Sequence, residues 1–156
     1  MSNNIELEII KFLQSFSNSD INNIMVLISS FFYYKMYIFI VFILYFFKFL
    51  RSSDIVLLIF SQFIILFIKN LIQRERPFVS NNQVKLLDTM DYDEFSFPSG
   101  HTFNAFLLIF LLERNKKIDL SIIAYLVGLS RVYLGVHYPS DVIAGYLLAK
   151  LVTKYY

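Results

Sequence analysis

IVLLIFSQFIILFIKNLIQRERP, Ile55 to Pro77, carries the reading of the fold. Ile55–Ile68 is apolar apart from Ser61 and Gln62, and then Lys69, Arg74 and Arg76 follow within eight residues. A helix apolar on every side has no water-facing stripe, so it belongs in a large core or in lipid. The chain is too short for the first choice: 156 residues make one domain and no more. Met36–Phe47 is a second stretch of the same kind. Neither reaches the roughly 18 uninterrupted apolar residues that mark a span by themselves, so spans must be allowed polar residues near their ends. On that basis five membrane helices are expected, at about Lys35–Arg51, Asp54–Gln73, Ser99–Arg114, Ile118–Val136 and Pro139–Tyr155. Helices of these lengths measure roughly 24–30 Å at about 1.5 Å per residue, against a hydrocarbon core of about 30 Å.

Composition agrees. Hydrophobic residues make up 57% and charged residues 17%, where a soluble domain carries roughly 25% charged residues. A net charge of +2 is too small to argue for nucleic acid, so no nucleic-acid partner is expected. With no cysteine there is no disulfide framework, thiol nucleophile or cysteine-based zinc site. The first residues, MSNNIELE, have neither a basic start nor an early apolar run, so no cleaved leader is expected.

The first 33 residues differ from the rest. Ile5, Ile9, Ile10, Phe12, Leu13 and Phe16 alternate with Glu6, Glu8, Lys11 and Gln14, an amphipathic pattern suited to a membrane surface or a partner helix. Asp20 is a candidate cap for a second short helix running to about Phe32, either a sixth span or a half-inserted segment. The expected architecture is an all-α, polytopic membrane bundle of five or six helices in one domain over 1–156. Residues 1–33 are interfacial and 35–155 form the transmembrane core. The one long connection, Phe78–Phe97, is polar and acidic at Asp88, Asp91, Asp93 and Glu94, and reads as a solvated loop.

Consecutive spans alternate direction. Lys48, Arg51, Arg114, Lys116, Lys117, Lys150 and Lys154 then gather on one side, which the positive-inside rule makes cytoplasmic. The opposite side, periplasmic or external, receives Tyr33, Tyr34, Tyr37, Tyr133 and Tyr138 as interfacial aromatics. Three chemical clusters fall on it as well. The first is Lys69 with Arg76-Pro77, the second Pro98-Ser99-Gly100-His101, the third Ser130-Arg131 with His137 and Asp141.

Each cluster has a task if the ligand is a phosphate. Lys69 and Arg76 are seven residues apart, two turns of a helix that Pro77 would end, and so share a face. Arg131 offers a bidentate guanidinium from another helix. Ser99 and Gly100 open a helix, where free N–H groups and the dipole favour an anion and the missing Cβ permits close approach. The only two histidines of the chain, His101 and His137, both lie here. One can attack phosphorus while the other protonates the leaving oxygen. Asp141, four residues past His137, can hold one ring nitrogen and leave the other free. That makes His137 the better nucleophile and His101 the better acid.

Taken singly, each cluster also has a structural reading: a snorkelling lysine, a helix stop, an N-cap, a first-turn acid. Together they bring several cations into an apolar setting, a cost an anionic ligand removes and a structural role does not. The set resembles the type 2 phosphatidic acid phosphatase superfamily, whose signatures are Lys-x6-Arg-Pro, Pro-Ser-Gly-His and Ser-Arg-x5-His-x3-Asp. Here they read KNLIQRERP, PSGH and SRVYLGVHYPSD, over Lys69 to Asp141.

The resemblance implies a phosphatase/haloperoxidase-like helical core, no metal or other cofactor, and a phosphohistidine intermediate. It implies that Lys69, Arg76, Ser99, Gly100 and Arg131 bind phosphate, with His101 as acid, His137 as nucleophile and Asp141 as its orienter. The expected substrate is a lipid phosphate or diphosphate, first undecaprenyl diphosphate, with phosphatidate, phosphatidylglycerophosphate and lipid A as alternatives. The expected setting is a bacterial cytoplasmic membrane with the site facing outward; oligomeric state is left open. Two competing readings are a lipid-phosphate-binding protein without turnover, and a vanadate haloperoxidase, which this chain's apolar surface opposes.

Overall fold

The computed structural model describes residues 4–88, 92–116 and 119–156. These residues form helices and no strand: α1 Asn4–Gln14, α2 Ser19–Ser30, α3 Tyr34–Phe46, α4 Ser52–Ile72, α5 Pro77–Ser80, α6 Gly100–Lys116, α7 Ser121–Tyr133 and α8 Pro139–Tyr155.

The centre is α6. Phe103, Ala105, Phe106, Leu107, Leu108, Ile109, Leu111 and Leu112 are all buried, so this helix is covered on most sides. It packs against α7 and α8, and small residues let the three close up. A Cβ on Gly145 of α8 would lie 2.7 Å from the Ser99 carbonyl oxygen, and one on Gly128 of α7 would lie 2.8 Å from Val142 Cγ1. Close backbone approach of this kind is how helices associate where water supplies no drive between them.

The outside is the reverse of a soluble protein. Ile38, Phe39, Phe42 and Phe46 on α3, and Phe60, Phe63, Ile64 and Phe67 on α4, are exposed. A contiguous apolar patch of that extent on a monomer marks a contact surface, here with lipid. Phe31 and Phe47 face outward as well, and Phe32 is in the core.

α6 and α8 keep close to the expected lengths, whereas α3 and α7 fall short of theirs. By length and apolarity one stretch, Ser52–Ser80, passes as a span, and the bent pair α2–α3, with 53° between its halves, passes if taken together. α6 and α8 are 17 residues each and α7 is 13. Several ends move for local reasons. α3 stops at Phe46 because Lys48 takes a left-handed turn at φ 58. α7 stops at Tyr133 because Gly135 turns the chain at φ 79. Asn18, not Asp20, caps α2, its side-chain oxygen accepting from the Ile21 N–H at 2.9 Å. Asp119 accepts from the Ser121 N–H and hydroxyl at the start of α7.

α4 ends at Ile72, within a residue of the expected Gln73, which is left-handed at φ 52, but Pro77 opens α5 instead of closing α4. Lys69 and Arg76 are therefore not two turns apart on one helix; a break in the chain turns Arg76 back toward Lys69.

At the far end of the bundle α4, α6 and α8 are tied together. The buried Asp54 carboxylate accepts from the Arg51 N–H at 2.7 Å, from Asn115 at 2.7 Å and from the Tyr156 hydroxyl at 3.0 Å. Arg51, Arg114, Lys150 and Lys154 belong to this end, opposite Lys69, Gly100, Arg131 and Pro139, as the alternation of the helices requires.

Candidate active site

A cavity of about 250 Å³ lies at the end of the bundle where α4 and α7 finish and α6 begins. Lys69, Arg76, Gly100, His101, Arg131 and His137 all line it. Two expected members stand outside. Ser99 is fully buried, its hydroxyl 2.9 Å from that of Thr102, so it caps α6 and leaves Gly100 to face the cavity. Asp141 sits behind His137, with Oδ2 3.4 Å from the imidazole Nδ1.

His137 comes from the turn between α7 and α8 and is 2% exposed, so little of the ring is open to solvent. Its Nε2 faces the cavity side, 3.4 Å from Arg76 Nη1. Burial, together with the charges of Arg76, Arg131 and Lys69, pushes its pKa well below the ordinary histidine value, so the ring is neutral at neutral pH. A proton on Nδ1 toward Asp141 leaves Nε2 with its lone pair, which meets only the long 3.4 Å contact from Arg76 Nη1 and is the atom a nucleophile needs.

The cations are held firmly. Arg76 Nη1 donates to the Val136 carbonyl at 2.9 Å and Nε to that of Asp93 at 2.8 Å. Arg131 is fully buried and donates from Nη1 to the Ser29 hydroxyl. Its Nε and Nη2, and Nε2 of His101, are buried without a hydrogen-bond partner among the described residues. Unsatisfied buried polar atoms are expensive, and these belong to two residues that line one basic cavity, which suits an anion with several oxygens.

Part of the acidic connection is folded into this cavity. Asp93 accepts from Lys69 Nζ at 3.0 Å and pairs with Arg76 through the same oxygen. The Tyr92 ring lies 5.1 Å from both the Arg76 and the Arg131 guanidinium carbons. Asp88 is buried, 3.7 Å from Arg131 Nη1. The expectation of a solvated loop holds for Glu94 and in part for Asp93, both exposed, and fails for the buried Asp88; Asp91 lies outside the described residues. Burial pushes the Asp93 carboxyl up, but Lys69 and Arg76 outweigh it and hold it below the usual range. An ionised carboxylate thus already occupies part of the cradle.

A second, apolar groove of about 540 Å³ runs between α3 and α4 and shares Tyr34, Gln62, Leu66 and Asn104 with the polar cavity. Gln62 Nε2 donates to Asn104 Oδ1 at 2.9 Å where the two spaces meet. The sequence alone assigns no role to Gln62, Asn104, Tyr92 or Arg74. A signal existed for the first two: they are polar residues on apolar helices, Gln62 seven before Lys69 and Asn104 three after His101, on the faces of those residues.

Buried cations and two imidazoles around one cavity, on a helical bundle with an apolar exterior, define a membrane protein built to hold a phosphate-like anion. Comparison with known proteins gives the family. The PAP2 superfamily profile matches residues 52–156, and the chain belongs to that superfamily. A protein named undecaprenyl-diphosphatase from Sulfolobus acidocaldarius is 33% identical over 94% of this chain and 74% of its own length. The phosphatidylglycerophosphatase B of Bacillus subtilis is 48% identical, but over 36% of this chain and 35% of its own length. The bacitracin transport permease BcrC of Bacillus licheniformis is 42% identical over 49% of this chain and 38% of its own. The chain thus matches little more than a third of the length of these last two. Among solved structures, the transmembrane PAP2-type phosphatidylglycerolphosphate phosphatase of Bacillus subtilis superposes with a TM-score of 0.74 at 27% identity, covering 97% of this chain and 84% of that one. The LpxE of Aquifex aeolicus gives 0.81 over 99% of this chain and 95% of that one; at 21% identity it speaks for the fold alone.

Proposed function

We propose that the chain is a lipid phosphatase that transfers a phosphoryl group from a lipid phosphate or diphosphate to His137 and then to water. The observation that carries this is one cavity holding two imidazoles, three basic side chains and buried donors without acceptors. His137 Nε2 attacks phosphorus, and the bond to the leaving oxygen breaks as His101 gives that oxygen a proton. Water then attacks the phosphohistidine, His101 takes the water's proton, and inorganic phosphate leaves. Lys69, Arg76 and Arg131 balance the charge spread over the oxygens in both steps, while Gly100 lets the start of α6 approach them. An arriving phosphate also supplies the counter-charge for a protonated His101.

The apolar groove beside the cavity supports a substrate with a hydrocarbon tail, entering from the lipid between α3 and α4. Five or six membrane helices, with the site at the outer face of a bacterial cytoplasmic membrane, fit the basic far end. Undecaprenyl diphosphate is the substrate we place first, because relatives bearing that name match the chain.

The test is phosphate release by purified protein from undecaprenyl diphosphate, phosphatidate, phosphatidylglycerophosphate and lipid A, all with EDTA present. Metal-independent release that disappears in His137→Ala supports the reading. Full activity in that variant, or binding without release across the panel, rejects it.

A further inference from the structure

Arg74 is not one of the defining residues of the three motifs and does not line the cavity, yet three hydrogen bonds fix its guanidinium beside the start of α8. Its Nη1 donates to Asp141 Oδ1 at 2.7 Å and to the Ser140 hydroxyl at 2.6 Å. Its Nη2 donates to Glu6 Oε2 at 2.7 Å. Its guanidinium carbon lies 3.7 Å from the centre of the Tyr138 ring. The other oxygen of Glu6 accepts from the Ser140 N–H at 2.9 Å, capping the start of α8. Asp141 Oδ2 accepts from the Tyr138 N–H at 2.9 Å and faces His137 Nδ1. A continuous line of alternating charges therefore runs Glu6, Arg74, Asp141 and ends on the neutral His137 ring.

Asp141 is wholly buried, and among the described residues Arg74 is the cation that pairs with its carboxylate, the imidazole being neutral. A buried carboxylate without a counter-ion takes up a proton or turns away. Either change leaves the imidazole with the wrong tautomer or a free swing. The break after α4 delivers the guanidinium here: with Gln73 left-handed, the chain leaves the helix axis and lies across the start of α8.

We propose that Arg74, anchored by Glu6 of α1, is a positioning residue that keeps Asp141 ionised and aimed at His137, so that the N-terminal helix is part of the catalytic apparatus. This rests on the phosphatase reading above. Arg74 touches no substrate, so its loss acts on the attack by His137 and spares phosphate binding.

The experiment compares wild type, Arg74→Met, Arg74→Lys and Glu6→Gln as purified full-length protein in detergent. Vanadate titration counts intact cradles, and rapid-quench trapping of phosphoenzyme from a labelled lipid phosphate follows the first chemical step. Arg74→Met is expected to lower kcat per vanadate-binding site by about 10- to 100-fold, the range for partners that orient a reacting group. KM and vanadate affinity stay within about threefold, and phosphoenzyme formation slows in parallel with kcat. Lysine restores part of the rate, because it can reach Asp141 but not bridge to Glu6. Glu6→Gln keeps an acceptor for the Ser140 N–H, removes the charge, and falls between Met and wild type. Unchanged kcat per vanadate site in Arg74→Met, even with fewer sites or a lower melting temperature, overturns the proposal and leaves Arg74 a structural residue. Absence of phosphoenzyme in the wild type would instead remove the phosphatase reading itself.

Discussion

Replacing Asp93 by asparagine asks whether the cradle is already partly filled. The carboxylate lies on Lys69 and Arg76, the two cations a phosphate would use, so substrate must displace it. A hydrogen bond to a charged group is worth about 1.5–3 kcal/mol where solvent is excluded. Asp93 is 53% exposed, though, while its partners are 7% and 4% exposed. Half-solvated pairs keep only part of that value, so the net competition is taken as about 1.4 kcal/mol, or about tenfold. Asparagine has nearly the same shape and no charge. Asp93→Asn should therefore lower KM for a lipid phosphate, and Ki for inorganic phosphate, by about tenfold with kcat little changed. Raising salt should narrow the difference, because the exposed carboxylate is screened more than the buried cations. The assay is phosphate release in mixed micelles, with inorganic phosphate as competitor. A KM and Ki equal to or above those of wild type would show that the carboxylate does not compete for the cradle.

Three further outcomes follow from the same geometry. Because burial and three cations hold His137 below its usual pKa, it stays neutral on the acid side; the acid limb of kcat/KM should fall below about pH 6.5 and move upward in Lys69→Met. An unmoved limb in that variant would detach it from His137. Gly145→Ala places a methyl group 2.7 Å from the Ser99 carbonyl; forcing α8 off α6 should cost about 1–3 kcal/mol, read by thermal denaturation in detergent, and lower kcat with it. Ser99→Ala removes the cap on α6 and should cost about 1 kcal/mol of stability while vanadate affinity is kept; a large loss of affinity would return that hydroxyl to the phosphate.

The sequence was most legible where chemistry demands particular side chains. Lys69, Arg76, Gly100, His101, Arg131 and His137 reach one cavity from three stretches of chain, as motif spacing suggested. The route was less legible. The helix end near Gln73 was legible, but the left-handed Gln73 carries no glycine signal, so Arg76 looked like a residue two turns past Lys69 on the same face. Arg74 could not be assigned because its partners, Glu6 and Asp141, lie 68 and 67 residues away, and no local period reports such a pairing. Asp93 was misjudged for a related reason. Acidic residues in a long polar connection are usually hydrated, and only the fold shows that this one returns to the cations.

The uneven attachment of the helices bears on how the molecule comes apart. α6, α7 and α8 interlock through Gly128 and Gly145, whereas α3 leans mainly on α4 and turns large aromatic side chains outward. In a harsh or short-chain detergent the first loss should be α3, peeling from the bundle while the glycine-seamed trio persists. Loss of the tail-binding groove would then precede loss of vanadate binding, and preparations could lose turnover of long-chain lipids while still cleaving short, water-soluble phosphate esters.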